Sequence, residues 1–426
     1  MSVPGGEYIY DLPREDPRAP RRLPSSPSGI VRRRPAPRWL RRLVWGLVIA
    51  VLIGVGIAVY IIAIRPAGVG TSLVAFTAAL VPVSIVLLAV WWLDRYTPQP
   101  RITLVYAFAW GGAASVALSL LLGPVFLSLA GEEGMTAQTE SFLGAVVQAP
   151  IVEEATKSLG LLLLLVFGRR FLAGPLDGVV YAVLIAGGFA FTENILYFAN
   201  SFHMAQAMGE TDVFWQTFFL RGLLSPFAHA SFTALAGLGL GIAAERRSLL
   251  LYLGLGIGGL AAGMCLHALW NGATFLIEQD PENPLRGFLE YYAVVQVPIF
   301  LVLAGIVIWL RLRERRIIRR RLADYGRAGW YAPAEITMLL SLRTRRRAEK
   351  WAGRHGALAR TAMRGFISAS VQLALERQRV LHGRPTARTR AQERALLEEV
   401  TAHRRMLGAL SRPVVPAGDT RGAPVH

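Results

Sequence analysis

The sequence predicts an all-α fold: a polytopic membrane bundle of about eight transmembrane helices, followed by a small cytoplasmic helical domain at the C-terminal end. Three observations predict it. Of 426 residues, 53% are hydrophobic, and the mean hydropathy is +0.41, a composition typical of membrane chains. The apolar residues fall into runs of about 20, the length that crosses a bilayer as helix. The net charge of +18 sits at the ends, since 36 of the 46 Lys and Arg residues precede Leu43 or follow Leu310. A single cysteine, Cys265, excludes an internal disulfide framework and any cysteine-rich metal cluster.

Residues 1–42 are rich in Pro and Arg and lack an apolar period, so they read as a disordered cytoplasmic tail. The membrane domain, 43–310, then offers eight spans: Leu43 to Ile64, Ser72 to Leu93, Ile102 to Ala130, Phe142 to Phe167, Gly178 to Ala199, Phe214 to Ala244, Leu249 to Ile277 and Tyr291 to Leu310. The first is too long for a signal-peptide core and has no small-residue cleavage pattern, so it is expected to be retained. Orientation follows from the loops, because Lys and Arg accumulate on the cytoplasmic side. Arg95 with Arg101, Arg169 with Arg170, Arg246 with Arg247, and the run from Arg311 alternate with connections carrying only Arg65 and Arg286. Both termini are therefore expected in the cytoplasm, the chain being a multi-pass protein of a cytoplasmic membrane.

Ionisable groups interrupt this pattern at few places. The fourth span carries Glu153, Glu154 and Lys157, the fifth Glu193 beside Asn194 with Phe189 one turn earlier, the sixth Arg221 and His229, the seventh His267 and Asn271. A charge at the centre of a spanning helix costs about 2.5–3.5 kcal/mol on insertion scales, so such groups face a protein interior and act there. Helical spacing puts Lys157 within reach of either glutamate, while the two glutamates diverge by about 100°. Counting about 1.5 Å of rise per residue, Glu154 and His229 lie near mid-membrane and Glu193 and His267 roughly 6 Å toward the outer face. One hydrated site can hold them all.

Imidazole nitrogens and carboxylate oxygens without thiolate suit a catalytic divalent ion such as zinc, which lowers the pKa of a bound water while a glutamate accepts its proton. The chemistry expected is peptide-bond hydrolysis. No HExxH, GxSxG, Walker or zinc-finger pattern occurs. The glycines of 237–241 and 254–263 lie inside spans at four-residue spacing and read as close helix packing.

Glu153-Glu154-Ala155-Thr156-Lys157, Phe189 with Glu193-Asn194, His229, and His267 with Asn271 together resemble the ordered motifs of the PrsW family, intramembrane proteases related to the CAAX-processing and Abi membrane proteases. In the wider superfamily the motif containing Glu193 often ends in histidine. The resemblance implies that the Glu153–Glu154 pair supplies the water-activating carboxylate, that Glu193, His229 and His267 are metal ligands, and that Asn271 assists. It implies cleavage of a single-span membrane substrate, of anti-sigma factor type, near its extracytoplasmic side. Lys157 reads as counter-ion to a glutamate. Arg221 reads as snorkelling to the interface or pairing with a carboxylate.

Residues 311–411 are basic and helical in pattern, with helices expected from Pro333 to Arg354, Ala357 to His382 and Thr386 to Leu410. Leu339, Leu340, Ile367, Val371, Leu375, Leu396, Leu397, Val400 and Leu407 are the expected core. Residues 412–426 read as a disordered tail. Anionic lipid of the inner leaflet is the expected partner of this charge; nucleic acid is not, for want of a binding fold and stacking aromatics. Two other functions fit mid-membrane charges less well: an ion-coupled transporter, which calls for internal repeats that are not seen, and a non-catalytic scaffold, which does not explain charges meeting at one depth.

Overall fold

The computed structural model describes residues 38–131, 135–168, 171–246, 248–275, 284–382 and 387–410. The tail expected at 1–42 lies almost wholly outside these residues, as do the tail at 412–426 and the loop arginines Arg169, Arg170 and Arg247. The described residues are helical with no strand among them, and they form two compact units, one up to Arg311 and one from Leu312 onward.

The first unit is the membrane bundle. Its helices are α1 (Arg38–Val59), α2 (Val69–Asp94), α3 (Arg101–Ala109) continued by α4 (Val116–Leu129), and α5 (Ala137–Leu143) continued by α6 (Ala149–Phe167). Then come α7 (Pro175–Met208), α8 (Asp212–Phe218) with α9 (Ala228–Arg246), α10 (Leu249–Thr274), and α11 (Pro284–Tyr291) leading into α12 (Val297–Arg327). Wide π turns at Trp110–Ser115, Gly144–Gln148, Phe219–Leu224 and Tyr292–Gln296 join the paired pieces. Such turns concentrate at functional sites in helical proteins.

Seven of these helical stretches are long and apolar enough to cross a membrane. The eighth expected span, α5 with α6, is of similar length but carries Glu153, Glu154 and Lys157, and those charges set it apart from the seven. The chain is a multi-pass membrane protein. Its lipid-facing positions are apolar and exposed, as at Leu47, Ile62, Leu88 and Leu253.

Helix α7 is the axis of the bundle: 78% of its most apolar stretch is buried, against 17% for the first span. Its residues Val179, Tyr181 and Ile185 pack with Tyr106, Leu161, Leu164 and Leu240 in one core. Glycines let the backbones touch. A Cβ on Gly178 would lie 2.0 Å from the Gly237 carbonyl oxygen, which draws α7 onto α9; one on Gly263 would lie 2.5 Å from the Phe232 carbonyl oxygen, which draws α10 onto α9. Small residues at membrane crossings act in this way because lipid offers no hydrophobic drive for helix association.

In the second unit α13 (Pro333–Leu339), α14 (Leu342–Arg354), α15 (Ala357–His382) and α16 (Ala387–Leu410) pack with the end of α12. The single helix expected from Pro333 to Arg354 is two. Ser341 is extended (φ −127°, ψ 129°), and Arg345 Nε and Thr344 Oγ1 donate to the carbonyls of Leu339 and Met338, closing α13 before α14 begins. Leu339, Ile367, Val371, Leu397 and Val400 are buried as expected, joined by Ile318 and Leu322. Leu340, Leu375, Leu396 and Leu407 are only half-buried.

Candidate functional site

Helix α6 turns one stripe inward, Glu154, Lys157, Leu161 and Leu164, at the three- and four-residue spacing of a helix face. Gly160 makes room for it: a Cβ there would lie 2.3 Å from the Trp110 ring, whose Nε1 donates to the Thr156 carbonyl at 3.0 Å. The helix is thus held against the π turn at Trp110–Ser115, and Lys157 is drawn fully inside, 0% exposed.

Lys157 is the hub of the cluster. Its Nζ lies 3.2 Å from Glu153 Oε2, 2.9 Å from Glu154 Oε1 and 3.0 Å from His229 Nδ1. An ammonium has three N–H donors and no acceptor, so these three contacts use all it has. The Phe189 ring lies beneath it, 3.8 Å from Nζ to the ring centre, a cation–π contact. The two glutamates are not equivalent. Glu154 is 1% exposed and fully engaged: Oε1 also meets His267 Nδ1 at 3.1 Å, and Oε2 accepts from Thr233 Oγ1 at 2.7 Å. Glu153, its side chain 12% exposed, turns Oε2 toward Lys157 and His267 Nε2, the latter 3.9 Å away.

His229 enters through a broken helix. The helical path that begins at α8 stops after Leu224, because Pro226 has no N–H to give and Ser225 leaves the helical region (φ −120°, ψ 32°). The carbonyls this frees are taken up: Ser225 Oγ donates to Leu220 O at 2.7 Å, and Tyr292 Oη to Leu224 O at 2.7 Å. Non-helical backbone at membrane depth persists only where it is satisfied in this way or lines a cavity. A recess at the break, lined by Pro82, Val86, Asn194, Arg221, Pro226 and Trp270, reaches His229. The sequence predicts one span from Phe214 to Ala244, and the structure breaks it at Ser225-Pro226, the residues that carry the signal for the break.

His229 Nε2 lies 2.8 Å from Glu193 Oε2, and Arg221 holds that same oxygen at 2.5 Å. Arg221 Nε donates to Asn194 Oδ1 at 3.0 Å, and its guanidinium lies 3.7 Å over the Tyr197 ring. The seventh expected span supplies His267, its ring stacked on Phe232 at 4.9 Å and edge-on to His229 at 5.1 Å. Asn271, one turn further, donates its amide to the Ala145 carbonyl at 2.8 Å and so ties α10 to the π turn before α6.

Six of the seven expected site residues, Glu153, Glu154, Lys157, Glu193, His229 and His267, therefore meet in one hydrogen-bonded cluster. Within it Glu153, His229 and His267 each offer a donor atom within 4.8 Å of the others. That is a set of two imidazoles and one carboxylate, the kind used by catalytic zinc. Formal charge agrees, for three carboxylates against Lys157 and Arg221 leave one negative charge uncompensated. Glu193, expected as a ligand, lies outside this three-donor group. Thr233 and Tyr197 were not anticipated, although each follows a site residue, His229 and Glu193, by four positions and so shares its face.

Residues 99–303, a little under half of the chain and including the whole cluster, match the family model described as PrsW family intramembrane metalloprotease. A protein of Clostridioides difficile (strain 630) named Protease PrsW is 33% identical over 138 residues, which is 32% of this chain and 55% of that relative. The chain thus spans about half the length of the curated relative it matches. No solved structure matches it.

Proposed function

We propose that this chain, whose residues 99–303 match the model of the PrsW family of intramembrane metalloproteases, belongs to that family and hydrolyses a peptide bond of a membrane-spanning substrate. The convergence of Glu153, His229 and His267 inside an apolar bundle carries the reading. Nothing in packing alone calls for three carboxylates and two imidazoles in oil, where each charge is costly. The three residues would hold a divalent ion, zinc by the nature of the donors, and such an ion when bound acidifies water and polarises a carbonyl.

The chain's own groups supply the rest. Glu154, held still by Lys157, Thr233 and His267, fixes His267 with Nε2 turned toward Glu153. With both Glu154 oxygens engaged, Glu153 would hold the ion through one oxygen and use the other to take the proton of the attacking water and pass it to the leaving amine nitrogen. The recess at Ser225-Pro226 gives water a place beside His229.

The alternation of basic loops supports cytoplasmic termini and a site whose shallower side is toward the extracytoplasmic face. A single-span protein of anti-sigma factor type fits as substrate on the family resemblance, and the Arg-rich segment after Leu310 suits anionic lipid. The test is cleavage of a co-purified single-span substrate in nanodiscs by wild-type protein and by Glu153→Gln, His229→Ala and His267→Ala. Each variant is expected to lose at least ~1000-fold in rate and to lose stoichiometric metal. Cleavage at the wild-type rate by the His267 variant would falsify the site.

A further inference from the structure

Glu193 and Arg221 are left over from this scheme, although they are joined to it through His229. We propose that they form a positioning pair that fixes the tautomer of His229 and thereby selects Nδ1 as the nitrogen presented to the metal; this rests on the metalloprotease reading above. Arg221 touches neither ion nor substrate in this role; it acts through Glu193.

Hydrogen-bond accounting leads there. Glu193 Oε2 receives Arg221 at 2.5 Å and His229 Nε2 at 2.8 Å. An ionised carboxylate only accepts, so Nε2 must carry the proton. Nδ1, 3.0 Å from the Lys157 ammonium, is then the lone pair, accepting the one N–H of Lys157 that the glutamates do not use. Both ring nitrogens are engaged, and an ion reaching His229 must displace one partner.

The two partners differ in how firmly they are held. Glu193 is clamped by an arginine that is itself fixed at three points: Glu193, Asn194 Oδ1 and the Tyr197 ring. A planar guanidinium so placed gives up little freedom and is hard to move. Lys157 sits on a flexible four-carbon stem and keeps Glu153 and Glu154 if it gives up His229. The lysine therefore yields, and Nδ1 is the nitrogen left for an ion shared with Glu153 and His267. Glu154 does the corresponding service for His267, whose Nδ1 it binds at 3.1 Å, leaving Nε2 for the ion. Each histidine thus has its own carboxylate, the arrangement that orients metal-binding imidazoles and raises their basicity.

The experiment has two arms on the full-length chain. In metal-free protein, nitrogen-15 NMR of labelled histidine, with the His229 signals assigned by difference from His229→Gln, reads the tautomer directly. Wild type is expected to show Nε2 protonated and Nδ1 bare, and Arg221→Gln and Glu193→Gln a mixture. In the second arm, competition titration with zinc and a chelator is expected to show ~10- to 100-fold weaker binding in either variant, with the double variant no weaker than Glu193→Gln. Tyr197→Leu, which loosens Arg221 without baring Glu193, is expected to fall between wild type and Arg221→Gln and serves if Arg221→Gln does not fold. Were Glu193 itself a ligand, freeing it from Arg221 would leave zinc affinity unchanged or raise it. That result, or an Nδ1-protonated His229 in wild type, overturns the proposal. Absence of zinc binding with the expected tautomer instead removes the metal reading and leaves the positioning pair standing.

Discussion

Glu154 has protein partners on both oxygens, and Lys157, Thr233 and His267 would all lose theirs if it changed. Breaking a buried pair by removing one member typically costs about 3–5 kcal/mol, because the surviving charge stays buried and unpaired. Glu154→Gln is therefore expected to lower the melting temperature sharply in detergent, whereas Glu153→Gln keeps stability near wild type and loses cleavage. Equal losses of stability in the two variants would show that the glutamates are interchangeable. Asn271→Ala is expected to retain metal and to lose about 1–3 kcal/mol of stability, the cost of leaving the Ala145 carbonyl without its donor. Metal lost from a folded Asn271→Ala protein would place that residue on the ion instead. The sequence singled out the ionisable residues that meet in the cluster, since charge in an apolar span is conspicuous. It did not separate Glu153 from Glu154, or ligand from orienting carboxylate at Glu193. Adjacent residues share one composition, and only the contacts of Lys157, Thr233 and Arg221 distinguish them.

Gly263 sets how closely α9 and α10 approach, and so how His229 meets His267. Its replacement by Leu drives a side chain into the Phe232 backbone, with an expected cost of about 1–3 kcal/mol for overpacking and weaker metal binding. Wild-type metal affinity in folded Gly263→Leu protein would mean that this crossing does not set the site. Glycine spacing made the crossing legible in advance. The break after Leu224 was less so, because an apolar run looks alike whether or not its backbone bonds continue, and Tyr292, which takes the freed carbonyl, is 68 residues away. The division of Pro333–Arg354 was hidden for the same reason: Ser341 alone carries little signal, and Arg345 closes α13 from outside it. In the C-terminal unit Tyr331 donates to Ser370 at 2.9 Å, and burial pushes its phenol up to about 12. A phenol raised from its unfolded value near 10 favours the fold fully below pH 10 and loses that contribution as pH rises toward 12. The change is about 2–3 kcal/mol at roughly 1.4 kcal/mol per unit. Alkaline melts of wild type and Tyr331→Phe read it directly, and the two curves are expected to diverge below pH 10 and converge above 12. Parallel curves across that range would rule the phenol out.

The chain's two units have separate cores, one around α7 and one around Leu339, Ile367 and Val400. All the site's ionisable groups lie between Glu153 and His267, inside the first. A chain ending at Arg311 is expected to keep metal binding and peptide hydrolysis within ~3-fold of wild type, measured on the same substrate in nanodiscs. Loss of hydrolysis in a folded truncation would place part of the catalytic apparatus in the second unit. The bundle as a whole was legible because bilayer thickness dictates span length and loop arginines follow one alternation. What no period or loop charge encodes is the choice of ligands, which depends on side chains from four helices arriving at one depth.

That choice is tested most directly by locating the ion itself, through anomalous diffraction at the zinc edge from crystals of the full chain. The account predicts a single peak about 2.0–2.2 Å from one oxygen of Glu153 and one nitrogen each of His229 and His267. A peak coordinated by Glu193 in place of Glu153, or one lying away from both histidines, would contradict it.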